Sequence, residues 1–308
     1  AAPPPGAPGA GHGGPRQVGE WVLEAQVGTG SFAVVHRARN VRTGEPAAVK
    51  EINTERLNAK LRESLDSEIL ALRRAQSEHT VRLIDILRGP GTLFLVLEYC
   101  AGGDLSQYIR RHGRVSEDTA RHFMQQLVVG LQALRASNYI HRDLKPQNLL
   151  LSADSGSARL KIADFGFARS LQPQGLAETL CGSPLYMAPE ILQFQKYDAK
   201  ADLWSVGTIL YELLVGRPPF GGANHIQLLR NIERSEARVP EKVAAALSPD
   251  CLDLLKLLLR RNPVERLSFE EFFAHRFLQL GAEGPAASLH SASGGTSHSS
   301  MGSSSAIG

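Results

Sequence analysis

The segment His141–Asn148 concentrates side chains that can perform chemistry. It holds an imidazole, a guanidinium, a carboxylate, an ammonium and a carboxamide in one short stretch. Pro146 lies inside it, which excludes a continuous helix and favours a loop. A second acidic motif, Asp164-Phe165-Gly166, follows downstream. Together the two motifs offer carboxylate and carboxamide oxygens for metal ions, and a carboxylate that can receive a proton.

A glycine-containing turn near the N-terminus is a candidate phosphate-binding loop. The stretch Val27-Gly28-Thr29-Gly30 leads into a β-branched pair, which predicts a strand, a tight turn and a second strand. Backbone without a Cβ can lie close to phosphates and donate N–H groups to them. An ordinary hairpin turn explains the same glycines equally well. A dinucleotide fingerprint is disfavoured, because a helix would have to follow the turn.

A lysine and a glutamate lie on neighbouring predicted elements. Lys50 is in the predicted strand Pro46–Ile52, and Glu68 is in a helix predicted from Glu55 to Arg74. The helical period is set by Leu57, Leu61, Leu65, Ile69 and Leu72. Glu68 falls on or beside this apolar stripe, where an acid needs a partner, and Lys50 is the candidate. A solvated glutamate at the edge of the stripe is the alternative.

The composition changes in the middle of the chain and predicts two lobes. Strands are expected at Val81–Leu87 and Thr92–Leu97, after which Glu98–Asp104 passes from apolar residues to glycines. We interpret this stretch as a hinge. The chain is mostly helical beyond it, and Ser116 is a plausible N-cap of the helix that leads to the 141–148 loop.

Further elements of the second lobe are expected around the acidic motif. A hairpin of Leu149–Leu151 and Arg159–Ile162 is expected, and Asp164 follows its second strand. Residues 167–188 have little periodicity, and so long a loop is usually functional. A helix spanning 203–214 is apolar nearly all round and should be buried. Ser268–Glu271 fits a capping box.

Length, charge and cysteine content limit the classes of protein to which the chain can belong. The 308 residues carry a net charge of +3, too balanced to indicate nucleic acid. Three scattered cysteines form no metal or disulfide pattern and favour a reducing compartment. Neither a membrane-spanning run nor a signal peptide is expected. Residues 1–19 and 279–308 are rich in small and polar residues and are expected to be disordered tails.

Taken in order, these motifs resemble a protein kinase. The resemblance covers roughly residues 20–278, and Lys145 with Pro146 matches the serine/threonine pattern. It implies an α+β, bilobal fold, in which an antiparallel sheet and one regulatory helix form the N-lobe (20–98) and a mainly helical C-lobe follows (99–278). The motifs that carry it are the glycine-rich loop, Ala47-Ala48-Val49-Lys50, His141-Arg142-Asp143, Asp164-Phe165-Gly166 and Ala188-Pro189-Glu190.

The resemblance also implies roles for individual residues. Asp143 should accept or orient the substrate hydroxyl proton, and Lys145 should neutralise the transferring phosphoryl group. Lys50, paired with Glu68, should hold the phosphates of ATP. Asn148 and Asp164 should hold Mg²⁺. The expected ATP-binding residues are Val27, Gly28, Gly30, Val35, Ala48, Lys50, Leu97 (the gatekeeper), Glu98, Cys100, Asp104 and Leu150.

Regulation and structural support are implied as well. Thr179 should be the activation-loop phosphosite, with Arg142 as the receptor for its phosphate. Ser183 should line the pocket for the residue after the phosphoacceptor. Glu190 is expected to pair with Arg266, and Asp202 to support the backbone of the catalytic loop. His141 is expected to pack behind the Asp164 turn in a structural role.

Three stretches resemble a narrower group, the autophagy-initiating serine/threonine kinases of the plant and algal branch. They are Ser31–Val35, Asp164–Leu171 and Thr179–Glu190. This resemblance implies protein substrates, autophagy regulatory subunits as partners, and a cytoplasmic location with recruitment through partners to autophagosome-forming membranes. Ala33 replaces the third glycine of the loop. The alternatives are a calcium/calmodulin-regulated-like or polo-like kinase, or a pseudokinase scaffold.

Overall fold

An antiparallel sheet forms the N-terminal lobe in the computed structural model, which describes residues 16–29, 33–167, 169–170 and 183–279. Gly30, Thr179 and the larger part of both predicted tails lie outside the described residues. The strand order is β1-β2-β3-β4-β6-β5. The strands are β1 (Gln17–Val18), β2 (Trp21–Thr29), β3 (Ala33–Asn40), β4 (Pro46–Asn53), β5 (Leu83–Gly89) and β6 (Thr92–Glu98).

The sheet begins earlier in the chain than the boundary expected at residue 20. Gln17 and Val18 pair with Val22 and Trp21 as an antiparallel strand. Arg16 donates to both carboxylate oxygens of Glu51 at 2.8 Å. Backbone pairing and this bidentate ion pair hold a segment whose composition alone indicates a tail.

Helix α1 (Ala59–Arg74) packs against the sheet and begins four residues later than expected. The Asn58 side chain accepts from the N–H of Leu61 at 2.9 Å and caps the helix. Asn53 Oδ1 accepts from two successive N–H groups, those of Glu55 and Arg56, and so forms a turn. The predicted start at Glu55 was therefore wrong, because local side-chain hydrogen bonds favour a turn there.

The C-terminal lobe is mainly helical, so the α+β, bilobal prediction is confirmed. Small strands bring its loops together: β7 (Gly103–Asp104), β8 (Tyr139–Ile140), β9 (Leu149–Leu151), β10 (Leu160–Ile162) and β11 (Arg169–Ser170). The helices are α2 (Leu105–His112), α3 (Glu117–Ala136), α4 (Pro189–Leu192), α5 (Lys200–Val215), α6 (His225–Arg234), α7 (Glu241–Ala244), α8 (Pro249–Leu258), α9 (Phe269–Phe273) and α10 (Arg276–Gln279).

Several predicted details of this lobe are present. Ser116 Oγ accepts from the N–H of Thr119 and caps α3. Ser268 and Glu271 form the reciprocal capping box of α9. Helix α5 is buried along nearly its whole length and anchors the lobe. None of the helices described is long and apolar enough to cross a membrane.

Candidate active site

A cleft of about 690 Å³ lies between the sheet and the C-terminal lobe. It is formed by β2, β3 and β4 above, the segment after β6 behind, and β9 with the 141–148 loop below. All the expected ATP-binding residues that the structure describes line it. These are Val27, Gly28, Val35, Ala48, Lys50, Leu97, Glu98, Cys100, Asp104 and Leu150.

Lys50 and Glu68 meet at the back of the cleft, as the sequence predicted. Lys50 Nζ lies 2.5 Å from Glu68 Oε1 and 3.9 Å from Asp164 Oδ1. Burial lowers the pKa of Lys50, but the two carboxylates raise it by more, so that its pKa lies above the usual value. The lysine is therefore charged at neutral pH. Glu68 is buried, which excludes the alternative of a solvated glutamate.

Three polar groups surround Asp143, whose carboxylate is buried: two come from the 141–148 loop and the third is the N–H of Ser183. Lys145 Nζ lies 2.6 Å from Asp143 Oδ2 and donates to Ser183 Oγ at 2.8 Å. The N–H of Ser183 donates to Asp143 Oδ1 at 2.8 Å. Asn148 Nδ2 donates to the carbonyl oxygen of Asp143 at 2.8 Å. Asp143 is thus fixed from several sides, with a cation beside it.

Asp202 on α5 holds the backbone of this loop, as the sequence predicted. Its two oxygens accept from the N–H groups of His141 at 2.8 Å and Arg142 at 2.9 Å. Arg142 has φ of 70°, in the left-handed region that a non-glycine residue adopts only at a cost. The two hydrogen bonds to Asp202 offset that cost. They also fix the backbone immediately before Asp143.

His141 lies behind the turn at Asp164-Phe165-Gly166. Its Nε2 is 3.0 Å from the carbonyl oxygen of Ala163, and its ring centroid is 5.6 Å from that of Phe165. Asp164 itself has φ of 60°. The histidine is fully buried, which fits the structural role expected for it.

Asn148 and Asp164 are suited to a hard cation. The described hydrogen bonds of the Asn148 side chain all use Nδ2, so its Oδ1 is left as a ligand. No cluster of three or more acidic, histidine or cysteine ligands occurs within the described ranges. Mg²⁺ is commonly held by one or two protein oxygens and completed by substrate phosphates and water, so this sparse set fits it.

Glu190 and Arg266 form the predicted tie within the C-terminal lobe. Arg266 Nη1 and Nη2 donate to the two oxygens of Glu190 at 2.7 and 3.0 Å. Arg266 also donates to the carbonyl oxygens of Arg260 and Lys200. Both charged groups are buried and satisfied, so the segment that contains Glu190 is tied to the first residue of α5 and to the segment after α8.

Lys161 was missed from the sequence. It lies on β10 and is buried, with Nζ 2.9 Å from Glu98 Oε2 and donating to the carbonyl oxygen of Glu78 at 2.9 Å. It therefore connects the strand before Asp164 to the back of the cleft. An isolated lysine between two apolar residues in a core strand was the available signal, since such a charge needs a partner.

Cys100 lines the same part of the cleft. Burial, with a smaller contribution from Glu98, raises the pKa of its thiol to about 12. The residue is therefore a neutral thiol at neutral pH, which does not favour a nucleophilic role.

Comparisons with known proteins agree with this geometry. The protein kinase domain family matches residues 21–278. The chain is 64% identical over 264 residues to "Serine/threonine-protein kinase ATG1c" of Arabidopsis thaliana, covering 85% of this chain and 36% of that protein. It is 62% identical to ATG1b of the same plant, covering 85% and 37%. It is 44% identical to atg1 of Penicillium rubens, covering 85% and 32%.

These similarities confirm the resemblance expected from the motifs. The chain nevertheless spans little more than a third of the length of the first two relatives. What they share with it is the region that contains the cleft and the catalytic loop.

Proposed function

This chain belongs to the protein kinase family, and we propose that it transfers the γ-phosphoryl group of ATP to serine and threonine hydroxyls of proteins. The observation that carries the proposal is the convergence of Lys50, Glu68, Asp143, Lys145 and Asp164 on one cleft. A pseudokinase scaffold would have no need to retain every charged group in this arrangement.

Binding of ATP is assigned to the cleft residues. The apolar surfaces of Val35, Ala48 and Leu150 form two sides of a slot suited to a flat base. The backbone between Glu98 and Cys100 is placed to bind the polar edge of adenine. Asp104 stands where a ribose hydroxyl is expected. Lys50, held by Glu68, pairs with the phosphates.

The chemistry is assigned to the catalytic loop. Asp143 orients the acceptor hydroxyl and takes up its proton. Lys145, 2.6 Å from Asp143, neutralises charge on the group in transfer. Asn148 and Asp164 hold Mg²⁺, which supplies charge neutralisation on the phosphates when bound. Ser183 fixes Asp143 through its N–H and borders the site of the residue that follows the acceptor.

The biological role proposed is the initiation or regulation of autophagy. It is supported by the resemblance to the autophagy-initiating kinases and by relatives named ATG1. The substrates would be proteins of the autophagy machinery and the partners its regulatory subunits. A cytoplasmic location, with partner-mediated recruitment to autophagosome-forming membranes, is part of the same proposal.

Phosphate incorporation into a protein substrate tests the catalytic part of the proposal. The purified chain, ATP and Mg²⁺ should label serine and threonine, and the Asp164→Ala variant should label neither above background. Binding of ATP by both proteins in the absence of Mg²⁺ would show that the variant is folded. Equal labelling by wild type and Asp164→Ala would contradict the proposal.

A further inference from the structure

Phe194 departs from the usual chemistry of a helix end. It follows α4 and its C-cap Gln193 with φ of 57°, in the left-handed region that glycine adopts freely and other residues adopt only at a cost. Its N–H donates to the carbonyl oxygen of Ile191 at 3.0 Å, and the N–H of Gln195 donates to that of Glu190 at 2.9 Å. Phe194 is nevertheless 65% exposed. Neither the backbone conformation nor contact with water favours phenylalanine at this position.

Helix α6 lies beside Phe194 and exposes a second apolar side chain. Gln193 Nε2 donates to Glu233 Oε1 at 3.0 Å, which joins the end of α4 to α6. Positions 226, 230 and 233 share one face of the helix, because they are separated by four and three residues. Ile226 on this face is 53% exposed. The exposed surface that results, which we call the α6 surface, consists of Phe194, Ile226, Arg230 and Glu233.

The α6 surface is held in place by the rest of the C-terminal lobe. Leu228 and Ile232, on the opposite face of α6, are buried. Asn224 Oδ1 accepts from the N–H of Gln227 at 2.9 Å and caps the start of the helix. Arg261 Nε donates to the carbonyl oxygen of Ile232 at 2.7 Å near its end. A surface that is already ordered loses little conformational entropy when it binds a partner.

The two charged residues of the α6 surface are opposite in sign but do not pair within one chain. Across the described residues, neither Arg230 nor Glu233 lies within ion-pair distance of an opposite charge, and Glu233 accepts from the neutral Gln193. In a two-fold dimer, residue i of one copy contacts residue j of the other, and j contacts i. Two copies of α6 packed antiparallel about an axis midway between positions 230 and 233 would pair Arg230 of each copy with Glu233 of the other.

The same arrangement brings the apolar side chains of the two copies together. Ile226 lies near the start of α6, and Phe194 lies beside Glu233 near its end. Antiparallel packing places the start of one helix next to the end of the other. Ile226 of each copy would then cover Phe194 of the other, and both side chains would leave water.

We propose that the α6 surface is the contact of a symmetric dimer of this chain. The proposal goes beyond the proposed kinase function and does not depend on it. A helix of 10 residues and one flanking side chain bury less than the roughly 1,600 Å² of a standard interface. The expected association is therefore weak, with a Kd of roughly 10–100 µM.

Sedimentation equilibrium in the absence of ATP tests the proposal, at chain concentrations from about 1 to about 500 µM. The variants are Arg230→Glu, Glu233→Arg, the double variant with both changes, and Phe194→Gly. Glycine at position 194 removes the ring and also relieves the left-handed backbone, so this variant should fold at least as well as wild type. Val41→Ala is the matched control, because Val41 is an exposed apolar residue just after β3 in the other lobe.

The expected result is a dimer whose stability follows the charges at positions 230 and 233. Wild type and Val41→Ala should have the same Kd. Each single charge reversal places like charges at two symmetric contacts and should raise the Kd by about tenfold or more. The double variant restores opposite charges and should return the Kd to within about threefold of wild type. Phe194→Gly should raise the Kd by about tenfold or more, with a melting temperature equal to or above that of wild type.

Three results would overturn the proposal. They are a wild type that stays monomeric up to about 500 µM, a Phe194→Gly variant that keeps the wild-type Kd, and a double variant that associates no better than the single reversals. The first would leave the α6 surface to a different protein. Melting temperatures that match wild type would show that the charge variants are folded. Because no ATP is present, failure of the proposed kinase function would leave all of these Kd values unchanged.

Discussion

The ammonium of Lys50 lies 2.5 Å from Oε1 of Glu68, and this contact joins strand β4 to helix α1 at the back of the cleft. The same ammonium is 3.9 Å from Oδ1 of Asp164. The ammonium of Lys50 thus sets how far both helix α1 and Asp164 lie from strand β4. The position of α1 is therefore coupled to the position of the groups that bind phosphate.

Replacing Glu68 with glutamine should lower kcat/KM for protein phosphorylation by about 10- to 100-fold. A hydrogen bond to a charged group contributes about 1.5–3 kcal/mol, and without it Lys50 is no longer held in place. Steady-state kinetics with varied ATP measures the effect. Glu51→Gln is the matched control, because Glu51 follows Lys50 on β4 but pairs with Arg16. The kinetics of this variant should stay close to wild type. Equal losses in both variants would contradict the role of the pair.

Replacing Glu190 with glutamine should destabilise the fold by about 3–5 kcal/mol. The change leaves the guanidinium of Arg266 buried without its anion. Chemical denaturation gives the free energy of unfolding. The double variant Glu190→Gln/Arg266→Met removes the orphaned charge and should recover part of the loss. A double variant less stable than Glu190→Gln would show that the pair is not the cause.

Glu212 gives a pH-dependent prediction. Burial raises its pKa above the usual value, although the hydroxyl of Tyr186, which donates at 2.7 Å, opposes the rise. An acid with a raised folded-state pKa binds its proton more tightly in the folded protein. Folding stability is therefore lost as the pH rises from the unfolded pKa, near 4.5, through the folded value.

Glutamine at position 212 carries no charge and avoids this loss. Glu212→Gln should raise the melting temperature relative to wild type at pH 8 by more than it does at pH 5. Thermal unfolding at both pH values measures the difference. A gain of the same size at the two pH values would rule out titration of Glu212 as the cause.

Thr179 lies outside the described residues, so its role remains a prediction from the sequence. A phosphate adds about −1.5 to −2 charges and can pair with an arginine such as Arg142. Thr179→Ala should lower activity by roughly tenfold, or ~1.4 kcal/mol, because the loop loses that ordering contact. Activity of the phosphorylated wild type and the variant should be compared on one peptide. Identical rates would exclude Thr179 as the switch.

Much of the site could be predicted from the sequence, because each motif carries its own chemistry. The Lys50–Glu68 pair followed from an acid on an apolar stripe and a lysine on a nearby strand. The pairing of Glu190 with Arg266 and the support from Asp202 required the family resemblance, since the partners are far apart in sequence.

Other features could not be predicted from the sequence. The start of α1 depends on Asn53 and Asn58 turning the chain, which outweighs the apolar periodicity around Leu57. The position of Lys161 depends on a partner from a distant segment, Glu98. Single side chains of this kind show no period, so only the folded chain reveals their contacts.

Transfer of labelled phosphate from ATP to defined amino acids tests the central claim most directly. The chain should be incubated with γ-labelled ATP, Mg²⁺ and a protein substrate, and the modified residues identified by mass spectrometry, with Asp143→Asn in parallel. We expect label on serine and threonine with wild type, and a rate about 10²- to 10⁴-fold lower with Asp143→Asn, which loses the proton acceptor. Label on other residues, or an unchanged rate in the variant, would contradict the assignment of this chain as a serine/threonine kinase that uses Asp143.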